Sequence, residues 1–467
     1  MRAILIIGFV SLFYSSLLGQ RVTVSEDINL RSDYMYDILG KVDDKILLYR
    51  DKGFNHVLQV FDENLWEKES IELNFEKKRV TALGLLSGES DFTFFYTYRR
   101  KGDQVLACRK FDADGSLLDT TTLTTTNSLL NYQKYFFAFS KNKRYASIFS
   151  FEKENAIKVF MFDTQKMEVT WSNIYAFDFA FIRRDFREFM VSDNGGGVIV
   201  FKREEFKIGK PDERIEAYYM ASTQGLITQQ IIPFGDKYIV DYGIEYDNTN
   251  EKFVIAGLYG DKFRSRADGY FMMVDGSLRY IPFRSDLFTE LEKNSKRKVN
   301  FLEDYVVADI IVREDGGVLM VSEMERQFSR KSNMVEGRRQ SFDMRAYVDY
   351  YNEDMVVTSI HPTGDLHWQR VLRKKQFSQD DGGFFSSFFA FKSPTELRLI
   401  FNDEIRQDNT VSEYIINPIG DNERNIVMNT EYQKLKLRFR EAIQISPRDF
   451  IVPSERNSKF NLVKVSF

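Results

Sequence analysis

Nucleophiles, general bases and metal ligands are scarce in this chain. Its 467 residues hold three histidines, His56, His361 and His367, and one cysteine, Cys108. His361 and His367 flank a Pro-Thr-Gly-Asp turn. That spacing does not match a zinc site, and no cysteine or third histidine lies near it in sequence. Neither turn histidine sits in a nucleophile context, so no Ser-His-Asp set is assigned. A single cysteine excludes an internal disulfide, and the strand pattern around Cys108 predicts a buried, inert thiol. Gly195-Gly196-Gly197 lacks the Gly-Lys-Ser/Thr ending of a phosphate loop and precedes a strand rather than a helix. Asp112-Ala113-Asp114-Gly115 opens like a calcium loop, but the distal Glu is missing. The Asp-Gly pair recurs at Asp275-Gly276 and Asp315-Gly316, which points to hairpin turns. Acidic residues number 69, enough for a catalytic carboxylate pair, but no spacing selects one. The expectation is therefore no catalytic residue, no metal and no cofactor.

Binding chemistry has a better foothold. The stretch 324–351 carries Arg326, Arg330, Lys331, Arg338, Arg339 and Arg345 against fewer acids, on a chain whose net charge is −4. A local positive patch raises encounter rates with anionic partners and is screened by salt. Phe328, Phe342 and Tyr347 are interleaved with it and are of the type that anchors an interface. The predicted partner-binding set is Arg326, Arg330, Lys331, Arg338, Arg339, Phe328, Phe342 and Tyr347. The overall acidity argues against nucleic acid as the partner.

The elements that must position this stretch are strands. Phe (43) and Tyr (24) supply most of an aromatic content of 15%, and such residues favour pleated, half-buried surfaces. From Tyr305 to Leu372 four apolar runs follow in sequence, joined by turns at Asp315-Gly316-Gly317 and His361-Pro-Thr-Gly-Asp365 and by the basic stretch. Similar groups recur every 45 to 60 residues or so, which is a propeller period. The last copy, from Leu435, offers three strands: FREAIQIS, DFIVPSE and FNLVKVSF. A lone strand over Thr23 to Leu30 is expected to supply its fourth and so close the ring without an open edge. The predicted fold is an all-β, single β-propeller of eight blades, each of about four antiparallel strands. Seven blades is the alternative, because the fourth and fifth copies blur at Pro233. Two insertions interrupt the pattern: a short helix over 286–298 with Asp286 as N-cap, and the basic stretch 324–351 within the sixth blade.

Residues 1–19 are expected to be a signal peptide. Arg2 precedes an apolar run from Ala3 to Leu18, and Gln20 would begin the mature chain. No other stretch approaches transmembrane length, so a mature domain 20–467 without a membrane span is expected. At GYFMMVDGSLRY (269–280) and VVTSIHPTGDLHWQRVL (356–372) the chain resembles exported β-propeller proteins of the Bacteroidota. The resemblance implies fold and export rather than a reaction. The leading expectation is a non-enzymatic exported propeller that binds a protein or glycan partner in the bacterial envelope. It would be periplasmic, outer-membrane-associated or secreted. A polysaccharide hydrolase or lyase on the same scaffold is the alternative. An outer-membrane barrel is the second, because Val463 and Val465 alternate behind a terminal Phe467.

Overall fold

The computed structural model describes residues 20–467 apart from 78, 128–131, 154, 179–180, 207–210, 224, 294–297, 332–345, 404, 406–409, 431–433 and 457–458. Seven antiparallel sheets of four strands and one of five follow one another along the chain, with a two-stranded pairing of Arg266–Ala267 and Leu302–Glu303 beside them. The sheets cover 35–73, 81–127, 136–176, 186–233, 238–282, 305–379, 389–429 and 443–466, the last completed by Arg21–Val24. This is an eight-bladed propeller. Blades four and five part cleanly after Pro233.

Strand position within a blade explains the composition. In blade two the central strands Asp91–Arg100 and Asp103–Asp112 are buried along most of their length, whereas the outermost strand Leu117–Asn127 is largely exposed. Each blade packs a neighbour on both faces, so its central strands need apolar side chains on both sides and lose simple alternation. The outermost strand meets water, and β-branched threonines keep it extended there. The buried side chains form eight clusters, and each joins one pair of neighbouring blades. Leu47, Tyr49 and Leu58 of blade one, for instance, pack on Phe92, Phe94 and Tyr96 of blade two. The ring is thus held by a closed circuit of interfaces.

The Asp-containing turns are structural, as expected. Asp112 Oδ1 accepts the backbone N–H groups of Asp114 at 2.9 Å and Ser116 at 2.8 Å. Asp315 Oδ1 accepts that of Gly317 at 2.9 Å, and Gly316 takes φ +82° between them. These oxygens fix the turn backbone, which is the reason short polar side chains and glycine recur there.

Closure follows the predicted route with a shorter strand. Arg21–Val24 pairs antiparallel with Lys459–Ser466, Val22 opposite Val465 and Val24 opposite Val463. Beyond it only Ile28 bridges back, to Phe460. The expected strand FREAIQIS is instead a 3₁₀ turn, Phe439–Glu441, followed by the two-residue strand Ile443–Gln444. The inserted helix runs Ser285–Glu292 with Arg284 at its N-cap, not Asp286. Asp286 is the second helical residue, in the first turn, where its carboxylate accepts the N–H of Leu287 at 3.0 Å. Leu287 and Leu291 are buried and Phe288 packs beside them, the apolar face that the spacing predicts. The barrel alternative is overturned, because the strands belong to separate sheets rather than one closed sheet.

Candidate functional site

The basic stretch continues two strands of blade six beyond the ring. Val318–Lys331 and Ala346–Ile360 form one long hairpin, with a bulge between Glu323 and Glu325 where it leaves the blade. We call its outer part the arm. The register sets Arg326 opposite Tyr351, Phe328 opposite Asp349 and Arg330 opposite Tyr347. A fifth strand, Gln376–Gln379, lines up along Asp349–Asn352 and makes the arm three strands wide at its base. Opposed residues share a face, and on one face Phe328, Tyr351 and Phe377 form a run of rings. Their centroids are 5.8 Å and 4.8 Å apart. Phe328 is 53% exposed. Arg326 is not a free charge: its Nε donates to Asp304 at 2.8 Å, and Nη1 lies 3.8 Å from Glu353. Arg330, Lys331 and Tyr347 are placed by the strand register alone. Arg338, Arg339, Phe342 and Arg345 lie outside the described residues.

A buried polar network ties the base of the arm to blade seven. Lys374 is fully enclosed and pairs with Glu323, itself 1% exposed. Lys374 Nζ also donates to Gln376 Oε1 at 2.6 Å. Glu323 accepts from Asn352 at 3.0 Å and from the Ser387 hydroxyl at 2.6 Å. Gln376 in turn donates to the Asn402 carbonyl of blade seven at 2.7 Å. Burial pushes the Lys374 ammonium down while Glu323 opposes the shift. Such a pair persists only with its remaining hydrogen bonds filled, and here most are.

Above this network a groove of about 1280 Å³ opens between blades six and seven. The inserted helix and the segment after it wall one side, with Lys298, Phe301 and Glu303; Arg326, Tyr305 and Arg373 come from blade six, Arg424 and Ile426 from blade seven. Arg373 pairs with Asp354 and donates to the helix-end carbonyl of Leu291 at 3.2 Å, so it fastens the insertion to the blade. Arg424 pairs with Asp403. Lys298 and Lys375 are exposed and make no ion pair among the described residues. Tyr305 is 2% exposed, and its hydroxyl has no hydrogen-bond partner among the described residues. Burial pushes that hydroxyl upward, with the charges of Asp354, Arg373, Glu353 and Arg326 around it. Only Arg326 of this groove belongs to the predicted set. The rest comes from stretches as far apart as Leu291 and Ile426, so no local spacing could have marked it.

A second polar site escaped the sequence reading. The innermost strands of blades one, two, four, five and six each skip a residue against their neighbour. Just past the skip stand Gly40, Gly84, Glu188, Asp241 and Asp309. In blade two this position must be small, because a Cβ on Gly84 would lie 2.4 Å from the Phe137 ring. In blades four to six it carries a carboxylate and borders a cavity of about 510 Å³. Burial pushes the Glu188 and Asp241 carboxyls up, against the N–H of Val307 that donates to Asp241 at 2.7 Å. Burial pushes Lys202 beside them down. Asp309 reaches Lys392 of blade seven at 3.3 Å. Bulges re-aim side chains, and the signal for these three acids is their shared place after one.

The histidines and the thiol are structural in setting. The rings of His361 and His367 lie 4.6 Å apart, and Arg313 links Ser359 (2.8 Å) with His367 (3.4 Å). His56 is buried, its Nδ1 2.6 Å from the Tyr49 hydroxyl. Cys108 is buried as predicted, and burial pushes its thiol well up. Among the described residues no group of three or more His, Cys, Asp or Glu is placed to hold a metal ion. No helix among them is long and apolar enough to cross a membrane.

No family model matches the chain. No curated protein matches it. Several solved structures are similar. The β-propeller domain of Nup133 from Vanderwaltozyma polyspora is 9% identical with a TM-score of 0.43, over 97% of this chain and 99% of that one. The β-propeller domain of the Trilobed protease from Pyrococcus furiosus is 10% identical with a TM-score of 0.37, over 88% and 99%. A protein of unknown function from Bacteroides caccae is 10% identical with a TM-score of 0.27, over 72% and 93%. Blade number and closure stand on the sheets themselves.

Proposed function

We propose that this chain is an exported, non-enzymatic propeller of the Bacteroidota type that holds a protein or glycan partner in the cell envelope. The observation that carries the reading is the groove between blades six and seven. There the arm, the inserted helix and Lys298 and Lys375, unpaired among the described residues, converge. A rigid ring with one extended hairpin and one wide groove fits capture better than turnover, since binding segments sit on a scaffold that fixes them. Export rests on the apolar run before Gln20. The test is capture from envelope fractions with chain 20–467 as bait, beside a variant carrying Arg326→Ala and Phe328→Ala. Loss of a captured partner in the variant supports the arm and groove. Equal capture by both moves the binding surface elsewhere.

The carboxylates of the innermost strands favour a second reading, a polysaccharide hydrolase or lyase. Such cleavage uses two carboxyl groups set in different environments. Glu188 and Asp241 are raised by burial, while Asp309 faces Lys392. Release of new sugar ends from a polysaccharide, abolished by Glu188→Gln with Asp241→Asn, would replace the first reading with this one.

A further inference from the structure

We propose that the groove between blades six and seven binds a carboxylated polysaccharide, one with sparse negative charge among many hydroxyls. This rests on the partner-binding reading above and narrows its partner to one class.

Charge is the first argument. The three groove arginines are each held by a carboxylate: Arg326 by Asp304, Arg373 by Asp354 and Arg424 by Asp403. These pairs cancel, Glu303 is met by Arg266 at 3.4 Å, and Glu353 shares Arg326 at 3.8 Å. The cations left without an ion pair among the described residues are the exposed Lys298 and Lys375, set against the one extra carboxylate of Glu353. A dense polyanion or an acidic peptide would set its own carboxylates against Glu303, Glu353, Asp354 and Asp403, which all line the groove. Like charges in contact disfavour such a partner. A mostly neutral chain with an occasional carboxylate matches two lysines instead.

Hydrogen bonding is the second. An arginine offers five N–H donors and a carboxylate about four lone-pair sites, so each pair keeps capacity after meeting its mate. Alternating donors and acceptors suit hydroxyls, which both give and take. The Tyr305 side chain is the independent sign: it lines the groove, is 2% exposed, and its hydroxyl has no partner among the described residues. Buried polar groups are ordinarily hydrogen-bonded, and a hydroxyl of the ligand would complete this one.

Shape is the third. At about 1280 Å³ the groove exceeds the roughly 300–1,000 Å³ of a small-molecule pocket, so a polymer segment fits it better than a single sugar. Ile426, 69% exposed, and Phe301 give apolar surface for the C–H faces of the rings.

The experiment measures binding of labelled oligogalacturonate, methyl-esterified on most residues so that only an occasional carboxylate is free, to chain 20–467 by fluorescence anisotropy. The fully methylated ester, which keeps the hydroxyls and loses the charge, and a poly-glutamate peptide are the comparisons. The sparsely charged acid is expected to bind about tenfold or more tighter than either, and to weaken between about 50 and 300 mM salt. Lys298→Glu with Lys375→Glu should cost about tenfold or more. Tyr305→Phe should cost about fivefold with an unchanged melting temperature, since it removes a hydroxyl that no described residue holds. Equal binding of acid and ester, tighter binding of poly-glutamate, or an unaffected Tyr305→Phe variant overturns the proposal. If no oligosaccharide binds while an envelope protein is still captured through the arm, this inference falls and the partner-binding reading survives. If neither is captured, both fall.

Discussion

At the scale of single residues, the buried charges and rings set the sharpest expectations. Lys374 and Glu323 are enclosed together at the base of the arm, with Asn352, Gln376 and Ser387 filling their bonds. Removing one charge from such a pair leaves the other buried and uncompensated, which costs about 3–5 kcal/mol. Lys374→Met should therefore lower unfolding free energy by roughly that amount in denaturant titrations. Adding Glu323→Leu to it should recover much of the loss; a double variant no better than the single one contradicts the account. His56 gives the pH dependence. Burial holds its imidazole below the ordinary 6.5, with Asp51 opposing, while the unfolded chain titrates near 6.5. The unfolded state then binds a proton that the folded state refuses. This contribution is complete above pH 6.5 and is lost as pH falls from there toward the folded value. The slope reaches about 1.4 kcal/mol per pH unit at most. His56→Phe, whatever its stability at neutral pH, should show a flatter decline between about pH 6.5 and 5.5. Parallel declines in the two proteins would place the acid sensitivity elsewhere.

At the scale of elements, the arm stands on a structural base, and 332–345 connect its two strands at the tip. Asp349, Asn352, Gln376 and Ser378 at the base are each at most 2% exposed, and Asn352 serves Glu323 directly. Replacing 332–345 by a short Asn-Gly turn should leave the melting temperature within about 2 °C, because the bonds of Glu323, Asn352 and Gln376 at the base are all kept. Asn352→Ala should lower it clearly, since Glu323 loses a donor. A tip deletion that unfolds the ring would show that the base depends on it. The elements also show what a sequence can and cannot express. Central strands such as Asp91–Arg100 are legible because burial on two faces forces a continuous apolar run. The hairpin turns are legible because Asp and Gly have few other reasons to recur together. The strand Gln376–Gln379 escaped notice because it is short and held partly through amides and hydroxyls, which look like loop residues in one dimension. The helix start was misplaced by two residues because Arg284 takes the cap position with no side-chain bond to advertise it. Glu188, Asp241 and Asp309 resemble any acid in a strand until the bulges align them. The groove has no sequence signature at all, being assembled from the inserted helix and two blades.

At the scale of the whole molecule, one short strand closes the circuit of eight interfaces. Arg21–Val24 is the outer strand of blade eight, and Val22 and Val24 pack against the cluster between blades seven and eight. Trimming a terminus normally costs little. Here it would leave Val463–Ser466 as a bare edge carrying Val463 and Val465, the kind of edge that recruits other chains. Deleting 20–24 should lower the melting temperature by more than about 5 °C and promote aggregation. A truncated chain that melts with the intact one would show that the last blade closes without this strand. The register supplies a sharper version. Arg21 lies opposite Ser466, so the start of the strand sits beside the end of the chain. Joining Phe467 to residues 20–24 through an Asn-Gly hairpin turn, in a chain that otherwise begins at 25, rebuilds the same four-stranded sheet with the strand attached from the other side. If hydrogen bonding and apolar contact in the sheet close the ring, this permuted chain should regain most of the lost melting temperature. If it stays as unstable as the truncation, closure depends instead on the covalent path from Val24 through Ile28 into blade one.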